Sequence, residues 1–212
     1  VFFSVIVLFL GYQVGLVYYG RKIAMLFVLL LEATPYFSFG SVFWHIDQPY
    51  MVAWLAGLWA LGKYIQTEKL KWILLFGVCA GIGALSKYIT ILFYVSLFFW
   101  CLFDRRQRYL FFKWQSYAAG IISLAIFSPN IYWNATHDWV SFKFQLGRGT
   151  LSGGGIIGKL PEFTFGHLAL FSIIFSIWAW KTLLTGKMLP KPNSTKESLL
   201  LSTSLTPLLF FS

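Results

Sequence analysis

"WILLFGVCAGIGALSKYITILFYVSLFFWCLF", residues 72–103, decides what kind of protein this is. A helix crossing about 30 Å of hydrocarbon needs about 20 predominantly apolar residues. This run is too long for one crossing and suits two short ones. Its single charge, Lys87, lies in Ser86-Lys87-Tyr88. The stretch therefore reads as a helical hairpin, 72–86 and 88–103, with its tip at 86–88.

The hairpin belongs to a series. Apolar runs also fall at about 1–19, 23–42, 49–65, 114–132, 165–186 and 199–212. The chain of 212 residues is 58% hydrophobic, 21% aromatic and 11% charged, with a mean hydropathy of +0.70. Soluble domains carry about twice that charge, so this composition cannot cover an apolar core with a polar surface. The expected fold is an all-α, polytopic transmembrane bundle. It forms a single domain over 1–212 with about seven complete spans and a partial eighth. Val1 lies inside one apolar run and "TPLLFFS" (206–212) inside another, so truncation at both ends is expected.

The net charge of +10 does not indicate nucleic acid, because the basic residues are scattered and form no stripe. They sort instead by connection. If each run crosses, thirteen of the seventeen Lys and Arg collect on one side, at 21–22, 63–71, 105–113 and 181–196. Lys87, Lys143, Arg148 and Lys159 are left on the other. Basic excess marks the cytoplasmic side, and fusing the hairpin into one span would scramble the partition. The outer connections are then 43–48, 86–88 and 133–164, and they hold nearly every residue able to do chemistry. The inner "LPKPNSTKES", 189–198, is a polar linker. Cys79 and Cys101 sit in apolar runs without metal-ligand spacing and read as small packing residues.

In "FWHIDQPY", 43–50, Asp47 precedes Pro49, a pattern that caps a helix start. The same carboxylate can also hold a metal or a hydroxyl. His45, two residues away, makes a divalent metal on His45 and Asp47 the weaker candidate, since one His-x-Asp is little signal. Lys87 is either a snorkelling lysine or a cation for a lipid phosphate, and its place on the basic-poor side counts against the first without deciding between them. Glu32 lies mid-run ahead of Pro35, which frees the Leu31 carbonyl and should kink the helix. An acid there should face the bundle interior, for a cavity or for a structural hydrogen bond.

The richest stretch is "SPNIYWNATHDWVSFKFQLGRG", 128–149. Pro129 should end or bend its span. Trp139, Phe142 and Leu146 then alternate with Asp138, Ser141, Gln145 and Arg148, the pattern of an amphipathic helix lying in the membrane interface. Glycines from Gly147 onward should loosen the chain. Arg148 is either a bidentate phosphate clamp or a solvated loop arginine. Asn134-Ala135-Thr136 forms a sequon too short to be informative. An acid, a histidine, cations and aromatic residues at membrane level suit an amphiphilic anionic substrate.

In that order, "FWHIDQPYMVAWL", "GIGALSKYITIL" and "HDW-x-SF-x-FQ" resemble membrane glycosyltransferases of the C-type superfamily. The group is the dolichyl-phosphate-mannose–protein mannosyltransferase-like family with the aminoarabinose transferases, and the resemblance covers roughly 1–186. It implies a transferase that moves a sugar from a polyprenyl-phosphate donor to a lipid, glycan or protein acceptor. The expected setting is the periplasmic face of a bacterial inner membrane, among membrane lipids and without nucleic acid. It implies that Asp47 positions acceptor or metal, and that Lys87, Tyr88, His137, Asp138 and Arg148 bind substrate. The family's catalytic base is expected ahead of Val1, so the isolated chain is expected to be inactive. His45 departs from the family pattern, which leaves a metal there unsupported. A carrier or flippase for a lipid-linked sugar, or a non-catalytic scaffold, are the alternatives. The orientation is checked by scanning cysteines: positions 46, 88 and 150 should react with an impermeant thiol reagent from outside, and 22, 69, 107 and 193 should not. Labelling of 46 and 107 from the same side would overturn it.

Overall fold

The computed structural model describes residues 2–34, 37–38, 47–150, 198–200 and 202–203. They form an all-α fold without strands: α1 (Phe2–Tyr18), α2 (Arg21–Glu32), α3 (Asp47–Thr67), α4 (Leu70–Ser86), α5 (Ile91–Phe103), α6 (Trp114–Thr136) and α7 (Val140–Thr150). A 3-10 turn, Tyr88–Thr90, leads into α5, and a 3-10 helix, Arg105–Phe112, leads towards α6. The helices pack in the order α2, α1, α3, α4, α6.

Small residues make these contacts possible. Gly77 and Gly81 lie one turn apart on α4 and face Ala119, Ser123 and Ile126 of α6. A Cβ on Gly77 would sit 2.5 Å from the Ala119 carbonyl oxygen, and one on Gly81 2.8 Å from Ile126. Gly15 of α1 approaches Ala24 of α2 in the same way, at 2.5 Å. Such small-xxx-small seams let backbones touch, which is how helices associate where water cannot drive them together. Larger side chains fill the remaining core, chiefly Tyr18, Leu61, Tyr64, Phe76, Phe93 and Trp100. The buried Tyr18 hydroxyl is tied inward, donating to the Leu58 carbonyl at 2.9 Å.

The hairpin read from 72–103 is present. Phe76 of α4 meets Phe93 of α5 edge-on at 5.2 Å, so the chain folds back at Lys87. Below it, Ser198 accepts from Trp100 Nε1 (2.8 Å) and donates to Asp104 (2.9 Å), which fastens 198–203 to α5. Burial pushes the Asp104 carboxyl up, but hydrogen bonds from Arg106 and Ser198 outweigh it and hold the group below its ordinary value. The tie therefore persists above the ordinary carboxylate range and is lost only as pH falls through the lowered value.

Two prolines behave differently. Thr34, which precedes Pro35, donates both N–H (3.1 Å) and hydroxyl (2.7 Å) to the Leu31 carbonyl, and α2 stops at Glu32. Glu32 thus ends a helix and is exposed, not central and inward-facing as its mid-run position suggested. Pro129 does not end its span, because α6 continues to Thr136. The carbonyl it strands, Ala125, accepts from the Ser128 hydroxyl at 2.7 Å. A neighbouring hydroxyl replaces the missing N–H, so the helix survives its proline. The helix expected from Trp139 starts at Val140, and it runs through Gly147 and Gly149 to Thr150 where loosening was expected.

Exposed apolar side chains line α2 (Met25, Leu26, Leu29) and α6 (Ile121, Leu124). Among the described residues no single helix is long and apolar enough to cross a membrane. The pair Arg105–Phe112 and Trp114–Thr136, bent by 67°, meets the requirement by length and composition together. α1 and α4, of 17 residues each, are shorter apolar helices of about 25 Å. The 165–186 span and most of the 199–212 run lie outside the described residues.

Gly77→Ala should cost about 1–3 kcal/mol by overpacking against backbone, read as a lowered thermal midpoint in detergent. Gly120→Ala, where nothing lies within 4 Å, should leave it unchanged.

Candidate functional site

Two of the residues singled out by sequence meet across forty positions: the Lys87 ammonium pairs with Asp47 Oδ1. Each is delivered by a different element. Asp47 opens α3, where Pro49 fits the first turn because its missing N–H has no intrahelical partner there. Down the same helix, Tyr50 packs on Trp54 (5.6 Å), and Trp54 stacks on Phe93 of α5 (4.2 Å). These contacts fix the start of α3 against the hairpin.

Lys87 sits in extended backbone between α4 and the 3-10 turn. Its N–H donates to the Gly83 carbonyl (2.8 Å), and its carbonyl accepts from Thr90 N–H (3.1 Å) and Thr90 hydroxyl (2.8 Å). Thr90 is buried and touches Gly83, whose own Cβ position would also meet Ala53 of α3 at 3.4 Å. The lysine backbone is thus held on both sides before any ligand arrives. Its side chain stays 41% exposed while that of Asp47 is 18% exposed, and the ammonium lies 6.0 Å from the Tyr50 ring. The pair faces outward from the lysine side.

Tyr88 is turned the other way. Its hydroxyl donates to Asn130 Oδ1 (3.1 Å), its ring stacks on Phe142 of α7 (5.0 Å, 13°), and Phe127 meets it edge-on. Asn134, fully buried, extends the link: its amide donates to the Asn130 carbonyl (3.0 Å) and to Asn130 Oδ1 (3.1 Å). Asn134 Oδ1 accepts from the Ser141 N–H (3.2 Å) at the start of α7. The asparagine that reads as a sequon is therefore a remote cap for the next helix, out of reach of modification in the folded chain. Sequence reasoning missed Asn130 and Asn134 as structural links. The available signal was their spacing of four, which places both on one face of α6.

The turn between α6 and α7 is strained. Asp138 and Trp139 both take positive φ, 54° and 56°, which non-glycine residues seldom do. The Asn134 carbonyl holds the turn by accepting from His137 N–H (3.1 Å) and Trp139 N–H (2.9 Å). The exposed His137 ring stacks on Trp133 at 4.3 Å, with Nδ1 2.8 Å from the Trp133 carbonyl oxygen. Arg148 lies in α7, but its side chain, like the whole of His45, lies outside the described residues.

The structure thus unites Asp47 with Lys87 and ties Tyr88, next to Lys87, to α7. Among the described residues, the contacts of the His137 ring are with Trp133 and Thr136, not with the ion pair. Among the described residues no three His, Cys, Asp or Glu side chains come together as a metal site. An apolar cavity of about 190 Å³, bounded by Leu61, Tyr64, Phe76, Leu97, Trp100 and Ala119, lies nearer the basic connections and includes none of the candidates.

Residues 1–133 match the family model described as dolichyl-phosphate-mannose-protein mannosyltransferase. No curated protein and no solved structure matches the chain. The match spans α1 to most of α6, and so includes Asp47, Lys87, Tyr88 and Asn130. The cap on α7 can be tested by Asn134→Ala, which strips a buried donor and acceptor from their partners and should cost about 1–3 kcal/mol. Hydrogen exchange at 140–143 should quicken with it, and unchanged exchange would remove the asparagine as the cap.

Proposed function

This chain belongs to the dolichyl-phosphate-mannose-protein mannosyltransferase family and is a membrane glycosyltransferase, and from that premise we propose that it draws its sugar from a polyprenyl-phosphate donor. The acceptor is a lipid, glycan or protein, and the reaction takes place on the periplasmic face of a bacterial inner membrane. The observation that carries the reading is the placement of Lys87: a half-exposed ammonium on a backbone fixed by Gly83 and Thr90, beside a carboxylate and a tyrosine ring. A cation in that position suits the phosphate of a lipid whose tail stays in the bilayer.

The chemistry is a displacement at the anomeric carbon. The acceptor oxygen forms a bond to that carbon while the bond from carbon to phosphate oxygen breaks. The bonding pair leaves on the phosphate, which passes from a singly charged diester to a doubly charged monoester. The acceptor proton passes to a general base. Lys87 stabilises the charge developing on the departing phosphate, a contribution typically worth several kcal/mol. Arg148, which the sequence offers as a bidentate phosphate clamp, is the second cation proposed for the donor. Asp47 holds Lys87 in place at rest.

The test is Lys87→Ala in the full-length protein, assayed with a polyprenyl-phosphate sugar. Turnover should fall by at least about a hundredfold, roughly 2.7 kcal/mol, with Lys87→Arg retaining part of it. Fully active Lys87→Ala enzyme would mean that the lysine only anchors the hairpin at the interface.

A further inference from the structure

We infer that Asp47 is the counter-ion that keeps the phosphate site from retaining its own product, so that Asp47 sets the site's discrimination between singly and doubly charged phosphates. The inference rests on the proposed role of Lys87 and goes beyond it. The argument begins with net charge. The ammonium of Lys87 and the carboxylate of Asp47 are in contact, so together they present close to zero charge to an incoming anion.

The carboxylate cannot retreat far. It stands on the first turn of α3, and that turn is pinned through Tyr50, Trp54 and Phe93. It is also the less exposed partner, at 18% against 41% for the lysine. A ligand therefore meets the lysine from the open side, while the carboxylate remains behind it within Coulomb range.

Glycosyl transfer changes the charge of the bound phosphate. The donor is a diester with one negative charge, and the spent carrier is a monoester whose second proton dissociates near pH 6, giving close to two. A bare lysine would attract the spent carrier about twice as strongly, in Coulomb energy, as the donor. The product would then be the tighter binder and would block the site, since release often limits turnover. The fixed carboxylate repels the dianion twice as strongly as the monoanion and so reduces that bias. It also recaptures the lysine once the carrier leaves.

Because energy scales with ligand charge, removing the carboxylate should square for the dianion whatever gain it gives the monoanion. The experiment measures binding of a long-chain polyprenyl monophosphate and of its methyl diester. The protein is full-length and held in phosphatidylcholine nanodiscs at low ionic strength, near pH 8. Asp47→Asn should tighten the diester by about threefold and the monoester by about tenfold, following that doubling of charge. In steady state the same variant should show stronger inhibition by the monophosphate product. Asp47→Ser is the second variant, and thermal melts confirm that both fold. Equal effects on the two probes, weaker binding of the monoester, or a larger gain for the diester would each overturn the inference. Lys87→Ala separates the two levels: loss of both probes by at least about tenfold keeps the phosphate site, and unchanged binding of both would remove the site itself.

Discussion

The close approach of α4 to α6 is the constraint on which the rest depends. Gly77 and Gly81 bring the two backbones within a distance that any side chain would prevent. One helix ends at Lys87 and the other carries Asn130 and Asn134 in its last two turns. Because the helices touch along glycine, these ends lie close enough for Tyr88 to reach Asn130 and Phe142. A wider spacing would leave the elbow and α7 unconnected. The seam is therefore both the packing device and the ruler for the site.

Two groups of contacts converge on the elbow from opposite sides. From α3 come the carboxylate of Asp47 and the rings of Tyr50 and Trp54, the second stacked on Phe93 of α5. From α6 and α7 come the asparagine links and the Phe142 ring. Lys87 and Tyr88 are adjacent, yet each belongs to a different group. The elbow is where the two halves of the described chain are joined, and the charged group lies on the open side of that joint.

Much of this was legible from sequence for identifiable reasons. Lys87 is the single charge in a long apolar run, so the hairpin tip could be placed from it alone. Pro35 strands the Leu31 carbonyl as expected, but the expected kink is a helix end, because Thr34 takes that carbonyl with both its N–H and its hydroxyl. At Pro129 the helix does not end, because the outcome depends on whether a neighbouring hydroxyl can take over the carbonyl, and Ser128 does. Glu32 was read as inward because a run of hydropathy does not show where its helix stops. The pairing of Asp47 with Lys87 was beyond sequence: both residues were named, but nothing in their spacing of forty states that they touch. Asn134 stands in a sequon too short to be informative, and neither that pattern nor hydropathy shows that its side chain is buried.

The ion pair also has a temporal side. Lys87 follows Asp47 by forty residues, and ribosomes add about 5–20 residues per second. The carboxylate is therefore made about 2–8 s before this partner exists. Gly83 and Thr90, which seat the elbow against Ala53, arrive equally late. During that interval the nascent chain holds α1, α2 and α3 with the first turn of α3 still lacking its mate. The beginning of α3 is thus an early-made part of the fold whose pairing with Lys87 forms only after the hairpin has been made.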